Sequence, residues 1–400
     1  MTQRGIGFVL ATIFIDAIGF GLIMPVLPRL LMAVGDFRLP RAIEIGAWMG
    51  LAIAVATFFA APVLGNLSDR FGRRPVLLIA LAGMAIDYLL LAVAGTIWLI
   101  FIGRVLSGAL GGSYAPAQAA IADQTAPEDR ARTFGLVSAA FGIGFIAGPA
   151  IGGLLSAFGN RAPFYAASAL AALNFLYGLT IFPETLPVER RRAFDWRRAN
   201  PLGALAAARA VPNMMAVAVV LTLWQIASMV YPMTWSFYTI AQFGWSNAMI
   251  GASFAAVGLI MALTQTFLTG PLVKRLGERD AATLGLVGAI VGFLAYAFAT
   301  QSWMAFAIMV AIAVQSLVQP SLMAMLSRRA SPETQGEVQG VASMAMGIGA
   351  IVAPLALTRV MAEFTKADAP VHFPGAAFLV AALFGLGALV LLRRLPRVGA

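Results

Sequence analysis

The stretch GNLSDRFGRRPVLLIALAGMAIDYLLLAVAG, residues 65–95, decides the fold. It begins polar, glycine-rich and basic, then turns almost wholly apolar from Val76 to Gly95. Twenty residues, apolar but for one, match the length a helix needs to cross a bilayer. They do not alternate as a barrel strand would. Asp87 breaks the run, and a charged carboxylate deep in lipid costs several kcal/mol unless it has a partner or a task.

The rest of the chain follows the same pattern. Hydrophobic residues make up 60% of it and charged residues 11%, where a soluble domain carries about 25% charge. Lipid admits only helices or closed barrels, so the fold class is an all-α polytopic membrane protein. Spans are expected near 6–28, 45–65, 76–95, 97–120, 133–157, 162–183, 213–237, 248–271, 281–299, 302–326, 338–361 and 375–393. The apolar run after Arg4 is too long for the core of a cleaved leader and is expected to be the first span. Pro25, Pro28, Pro75, Pro183 and Pro212 fall at span ends, as suits a residue that cannot continue a helix.

The net charge is +10. Nucleic acid binding is one reading of that excess, but membrane topology accounts for it better. With both termini cytoplasmic, 20 Lys and Arg fall on that side and six on the other, with Arg104 left inside the bilayer. Such a bias fixes orientation. There is no Cys, His372 is the only His, and no P-loop pattern occurs. Thiol chemistry, metal clusters, cofactors and ATP sites are therefore not expected, and no nucleophile–base pair points to an enzyme.

Residues 184–212, with ERRRAFDWRR, form the longest loop. They read as a cytoplasmic linker between six-helix bundles at 1–183 and 213–400. A shift of 205 residues places Gly65, Leu67, Arg70, Gly72, Trp98, Pro127, Glu128 and Pro149 on identical residues of the second half. Parallel repeats of this kind build secondary transporters with a site near the membrane midplane. Lys274 replaces Asp69 under that shift, so the motif's charge cluster is expected only once.

Within GNLSDRFGRRP, Gly65 and Gly72 are expected to make the turn. Asp69 is expected to face a helix N-terminus, with Arg70 and Arg73 on the cytoplasmic rim. The motif resembles the hallmark loop of the major facilitator superfamily. GFGLIMPVLP (19–28), IGRVLSGALGG (102–112) and GFIAGPAIGG (144–153) extend the resemblance, and AAIADQTAPEDRAR (119–132) and TGPLVKRLGER (269–279) resemble its tetracycline-efflux branch. The resemblance implies two pseudo-symmetric bundles of six helices and proton-coupled drug export. It also implies a cytoplasmic gate in which Asp69 and Arg73 pair with Asp123. Asp16 and Asp87 match two acids that branch requires, in FIDAIGFGLIMP and AIDYLLLA. The third, in span nine, is replaced by Ala289, which argues against a tetracycline–metal chelate as the substrate. Arg104 is the middle Arg of a span-four motif that the family implicates in proton transfer.

Helix rise places Asp16 ~15 Å and Asp87 ~17 Å into their spans, and Arg104 at a depth similar to that of Asp87. Burial and a neighbouring cation act on a carboxyl's proton affinity in opposite senses, so an acid moved between wet and dry surroundings can load and release a proton. Asp16, Asp87 and Arg104 are the candidate coupling residues. Gly144, Gly148 and Gly152 recur every four residues, which permits close helix packing. With Pro149 they make either a packing seam or a hinge. Candidate substrate-lining residues are Thr57, Tyr114, Gln118, Phe141, Phe145, Trp224, Gln225, Tyr231, Trp235, Tyr238, Gln265, Gln315 and Gln319. Packing or an interfacial aromatic belt is the better account of any one of them; as a set they suggest an amphipathic or aromatic substrate.

The expectation is a monomeric transporter in a bacterial cytoplasmic membrane, exporting an amphipathic or aromatic small molecule in exchange for protons. The alternatives are an uptake symporter or facilitator of a metabolite and, more remotely, a non-transporting receptor.

Overall fold

The computed structural model describes residues 3–111, 114–126, 129–196, 213–329 and 335–396. Every regular element among the described residues is a helix. In order, the helices are α1 (Gln3–Ile23), α2 (Leu27–Gly35), α3 (Leu39–Phe71), α4 (Arg73–Val93), α5 (Ile97–Leu110), α6 (Tyr114–Gln124), α7 (Arg130–Leu155) and α8 (Ala162–Ile181). There follow α9 (Met214–Ser228), α10 (Val230–Phe243), α11 (Asn247–Thr264), α12 (Gly270–Leu276), α13 (Glu278–Ala297) and α14 (Ser302–Ala311). The last are α15 (Val318–Ser327), α16 (Gln335–Ala353), α17 (Arg359–Phe364) and α18 (Ala376–Arg394).

Among the described residues, ten helical stretches are long and apolar enough to cross a membrane, or eleven if the pair bent by 44° at Ile312 is one span. The sequence predicts twelve. The difference is the segment at 97–120, which divides into α5 and α6. Gly111 closes α5, its N–H bonding Ser107 O, and a run of glycines does not propagate a helix well. Span one also ends early, at Ile23 rather than 28, and Pro28 instead enters the first turn of α2.

The chain divides into two compact units. The first comprises Met1–Phe37, Ala52–Asn200 and Ser246–Ala255; the second comprises Arg38–Leu51, Pro201–Trp245 and Ala256–Ala400. In the first, α1 packs along α7 with almost no side chain between them. A Cβ on Gly144 would lie 2.5 Å from Phe14 O, one on Gly148 2.6 Å from Ile18 O, and one on Gly152 would meet Leu22 O. The four-residue spacing thus serves backbone contact, and α7 runs unbroken through Pro149. In the second unit, Gly285, Gly288 and Gly292 of α13 close on Val318, Val314 and Ile312. Ala289 sits fully buried on the same helix.

The internal repeat is visible in the backbone. Gly72 stands before α4 at φ 104, ψ 163, and Gly277 stands before α13 at φ 77, ψ 162. Trp98 and Trp303 are each the second residue of a helix, and both are exposed, where amphipathic rings meet a membrane–water boundary. One detail departs from the expected turn. Gly65 lies inside α3, so Gly72 alone makes the corner.

Candidate functional site

The helix that carries Asp87 is held at both ends. At its N-terminus, Glu184 accepts from Arg73 N at 2.8 Å and Arg74 N at 3.3 Å. At its C-terminus, Arg161 donates to Ala92 O at 3.2 Å and Ala94 O at 2.7 Å. An acid at the start and a base at the end both complement the helix dipole. The sequence reading assigned the first place to Asp69. Asp69 instead ends α3 and turns toward Arg73, because Gly72 reverses the chain between them.

Asp87 is completely buried and Arg104 is 6% exposed. Arg104 Nε donates to Asp87 Oδ1 at 3.2 Å, and its Nη2 makes a second bond to Oδ2. Two parallel N–H···O bonds are the strongest form such a pair takes. Ser107, one turn along α5, also donates to Asp87. Gly103 makes room, since a Cβ there would lie 2.9 Å from Asp87 Oδ1. The similar depth inferred from helix rise is met by direct contact.

Asp16 is half-buried on α1. Tyr88, next to Asp87 in sequence, is within electrostatic reach of both acids. It interacts electrostatically with Arg104, Asp16 and Asp87, and its ring fills the space a side chain at Gly19 would take. Tyr88 was not singled out from the sequence; its only signal was adjacency to a buried acid. Phe20, four residues past Asp16 and so on the same helical face, was also missed. It is 52% exposed and stacks on Phe145 at 6.3 Å, which stacks on Phe141 at 6.0 Å.

The other candidates scatter. Thr57 donates to Gly108 O at 3.1 Å, a helix-packing bond. Gln118 is half-buried and Gln265 exposed. The side chain of Tyr114 lies outside the described residues. In the second unit, Tyr231 donates to Gln315 Oε1 at 3.3 Å and meets the rings of Trp235, Phe293, Tyr296 and Phe378. Trp224, Trp235 and Tyr238 are buried in that unit. Gln225 faces Gly349, and Gln319 reaches Met346 Sδ at 3.5 Å.

At the loop, Arg73 joins three partners: Asp69 Oδ1 at 2.6 Å, Asp123 Oδ2 at 3.1 Å and Ser68 Oγ at 3.1 Å. Arg70 stays outside this cluster, over the Phe71 ring at 5.0 Å. The second half holds a two-residue counterpart of this cluster. The 205-residue shift carries Asp69, Arg73 and Asp123 onto Lys274, Glu278 and Arg328, so every charge is reversed. Arg328 Nε meets Glu278 Oε1 at 2.6 Å, the counterpart of Arg73 and Asp123.

Gly72→Ala is expected to cost about 1–3 kcal/mol of backbone strain and to drive a methyl group into the Glu184 carboxylate. Gly277→Ala, with nothing within 4 Å, carries only the strain. Thermal unfolding of the two variants in detergent should rank Gly72→Ala lower.

Apolar helices long enough to cross a membrane, an internal repeat and a buried acid–base pair delimit the possibilities, and comparison with known proteins decides among them. The Major Facilitator Superfamily pattern matches residues 9–354 and, overlapping these, 226–400. The chain belongs to the major facilitator superfamily. It is 40% identical over 389 residues to tetracycline resistance protein, class C, of Escherichia coli, covering 96% of each chain. It is 38% identical over 380 residues to the class G protein of Vibrio anguillarum, covering 95% of each. Among solved structures, the human organic anion transporter MFSD10 superposes with a TM-score of 0.71 at 25% identity, covering 98% of this chain and 99% of that one. This superfamily member is a multi-pass membrane transporter, not an enzyme, and is closely related to tetracycline resistance proteins.

Proposed function

We propose that this transporter exports an amphipathic or aromatic small molecule in exchange for protons. It would act in a bacterial cytoplasmic membrane, with both termini on the cytoplasmic side. The observation that carries the reading is the Asp87–Arg104 pair, a doubly bonded acid and base buried within apolar helices. A hydrophobic isostere would stabilise a static bundle as well or better, so a charged pair kept in such a place has a use. Protonation of Asp87 would release Arg104, and deprotonation would restore the pair. Opening to one face of the membrane at a time would couple that exchange to transport.

Asp16 and Phe20 share one face of α1, beside Phe145 and Phe141. An acid next to a row of rings suits a flat, apolar molecule bearing a polar or cationic group. The Asp69–Arg73–Asp123 cluster is the proposed cytoplasmic gate. A resistance function is consistent with the names of the relatives. Tetracycline is the first compound to try, although Ala289 leaves the second unit without an acid there.

One charge moving through 100 mV supplies ~2.3 kcal/mol, and each pH unit adds ~1.4 kcal/mol. Together they sustain a gradient of roughly a few hundredfold for a neutral substrate. The test is purified protein in liposomes preloaded with substrate. An imposed pH step should accelerate exchange in one direction and reverse when the step is reversed. Flux indifferent to the step would leave a facilitator, not an antiporter.

A further inference from the structure

The linker does more than connect. Glu184, its first acid, has its carboxylate among four backbone N–H groups. Oε1 accepts from Arg73, Thr185 and Leu186 at 2.8, 2.9 and 2.9 Å, and Oε2 accepts from Arg74 at 3.3 Å. Arg191 closes the far side at 4.0 Å. A single carboxylate thus folds the linker's first turn and fixes the backbone of Arg73. Arg73 is the residue whose guanidinium spans Asp69 and Asp123.

Farther along, the same segment is joined to the end of α3. Arg192 N donates to Asp69 O at 3.0 Å. Asn66 Nδ2 donates to Asp195 O at 2.6 Å, and Asn66 Oδ1 accepts from Asp195 N at 3.3 Å. Arg74 Nη2 reaches back to Leu179 O at 2.7 Å. Both sides of the Gly72 corner are therefore tied to one stretch of linker. An ordinary helix cap accounts for the bonds to Arg73 and Arg74, but not for those to Asp69 and Asn66.

We propose that Glu184 is a positioning residue for the Arg73 bridge, and that residues 184–196 form a strap holding Asp69, Arg73 and Asp123 in register. This rests on reading that trio as a gate, so the experiment must separate the two ideas. The absence of cysteine makes a clean reporter possible. Thr125 is 5% exposed, lies two residues past Asp123 and bonds Ile121 O at 2.7 Å. Thr125→Cys should react slowly with a water-soluble maleimide on purified protein in nanodiscs.

Adding Glu184→Ala should speed labelling about tenfold, the scale of lost bonds to a charged group. It should also lower the maximal transport rate while KM stays within about twofold. Glu184→Gln, which keeps one acceptor oxygen, should fall between. Arg73→Ala in the same background tests the gate itself. If Arg73→Ala leaves labelling unchanged, the gate reading fails and the strap fails with it. If Arg73→Ala accelerates labelling and neither Glu184 variant does, the strap alone is overturned. Should Glu184→Ala fail to insert, Glu184→Gln carries the same decision.

Discussion

Asp87→Asn is expected to reduce proton-driven transport by at least about 100-fold. The amide keeps the shape of the carboxylate but leaves the Arg104 guanidinium buried without a counter-charge. Breaking a buried pair from one side costs about 3–5 kcal/mol, roughly two to three and a half decades at ~1.4 kcal/mol each. Part of that loss would fall on folding, so a second variant is needed. Asp87→Asn combined with Arg104→Gln removes both charges and should recover insertion and thermal stability. It should not recover pH-driven exchange in liposomes. If the double variant still responds to a pH step, the carboxyl is not the coupling group.

Gly148→Val is expected to have the second-largest effect. A Cβ at that position would lie 2.6 Å from Ile18 O and 2.9 Å from the Cα of Gly21. Both are backbone atoms and cannot rotate away. Overpacking a tight contact costs about 1–3 kcal/mol, occasionally more, and here α1 must move, carrying Asp16 and Phe20 with it. Folded yield and transport should fall together. Gly142→Val on the same helix, with nothing within 4 Å, should be nearly silent in both. Comparable losses from the two variants would mean that α7 tolerates no bulk at all, and the seam at Gly148 would have no special standing.

Hydropathy was enough to locate the helices, because a span must be apolar along its whole length and that property is local. The Asp87–Arg104 contact was also within reach, since helix rise converts sequence position to depth. The break between α5 and α6 was hidden by an apolar run that continues through Gly111. Glu184 could not be assigned to α4 from the sequence, because 111 residues separate it from Arg73. Phe20 is one apolar residue in an apolar span, and its stacking on Phe145 depends on α1 meeting α7, which sequence position does not reveal. The reversed trio Lys274, Glu278 and Arg328 was overlooked for another reason. Identity between the repeats is lost there, while a salt bridge survives the exchange of both its ends.

The strap has a bearing on how this chain divides. If Glu184, Arg192 and Asp195 serve α3 and α4, then a recombinant hybrid that joins its first bundle to the second bundle of a relative should be cut downstream of Trp196. A cut at the end of α8 would separate the first bundle from the carboxylate that orders its own loop. On that reading the covalent tether belongs to one half of the chain, and the boundary drawn by hydropathy is not the boundary drawn by hydrogen bonds.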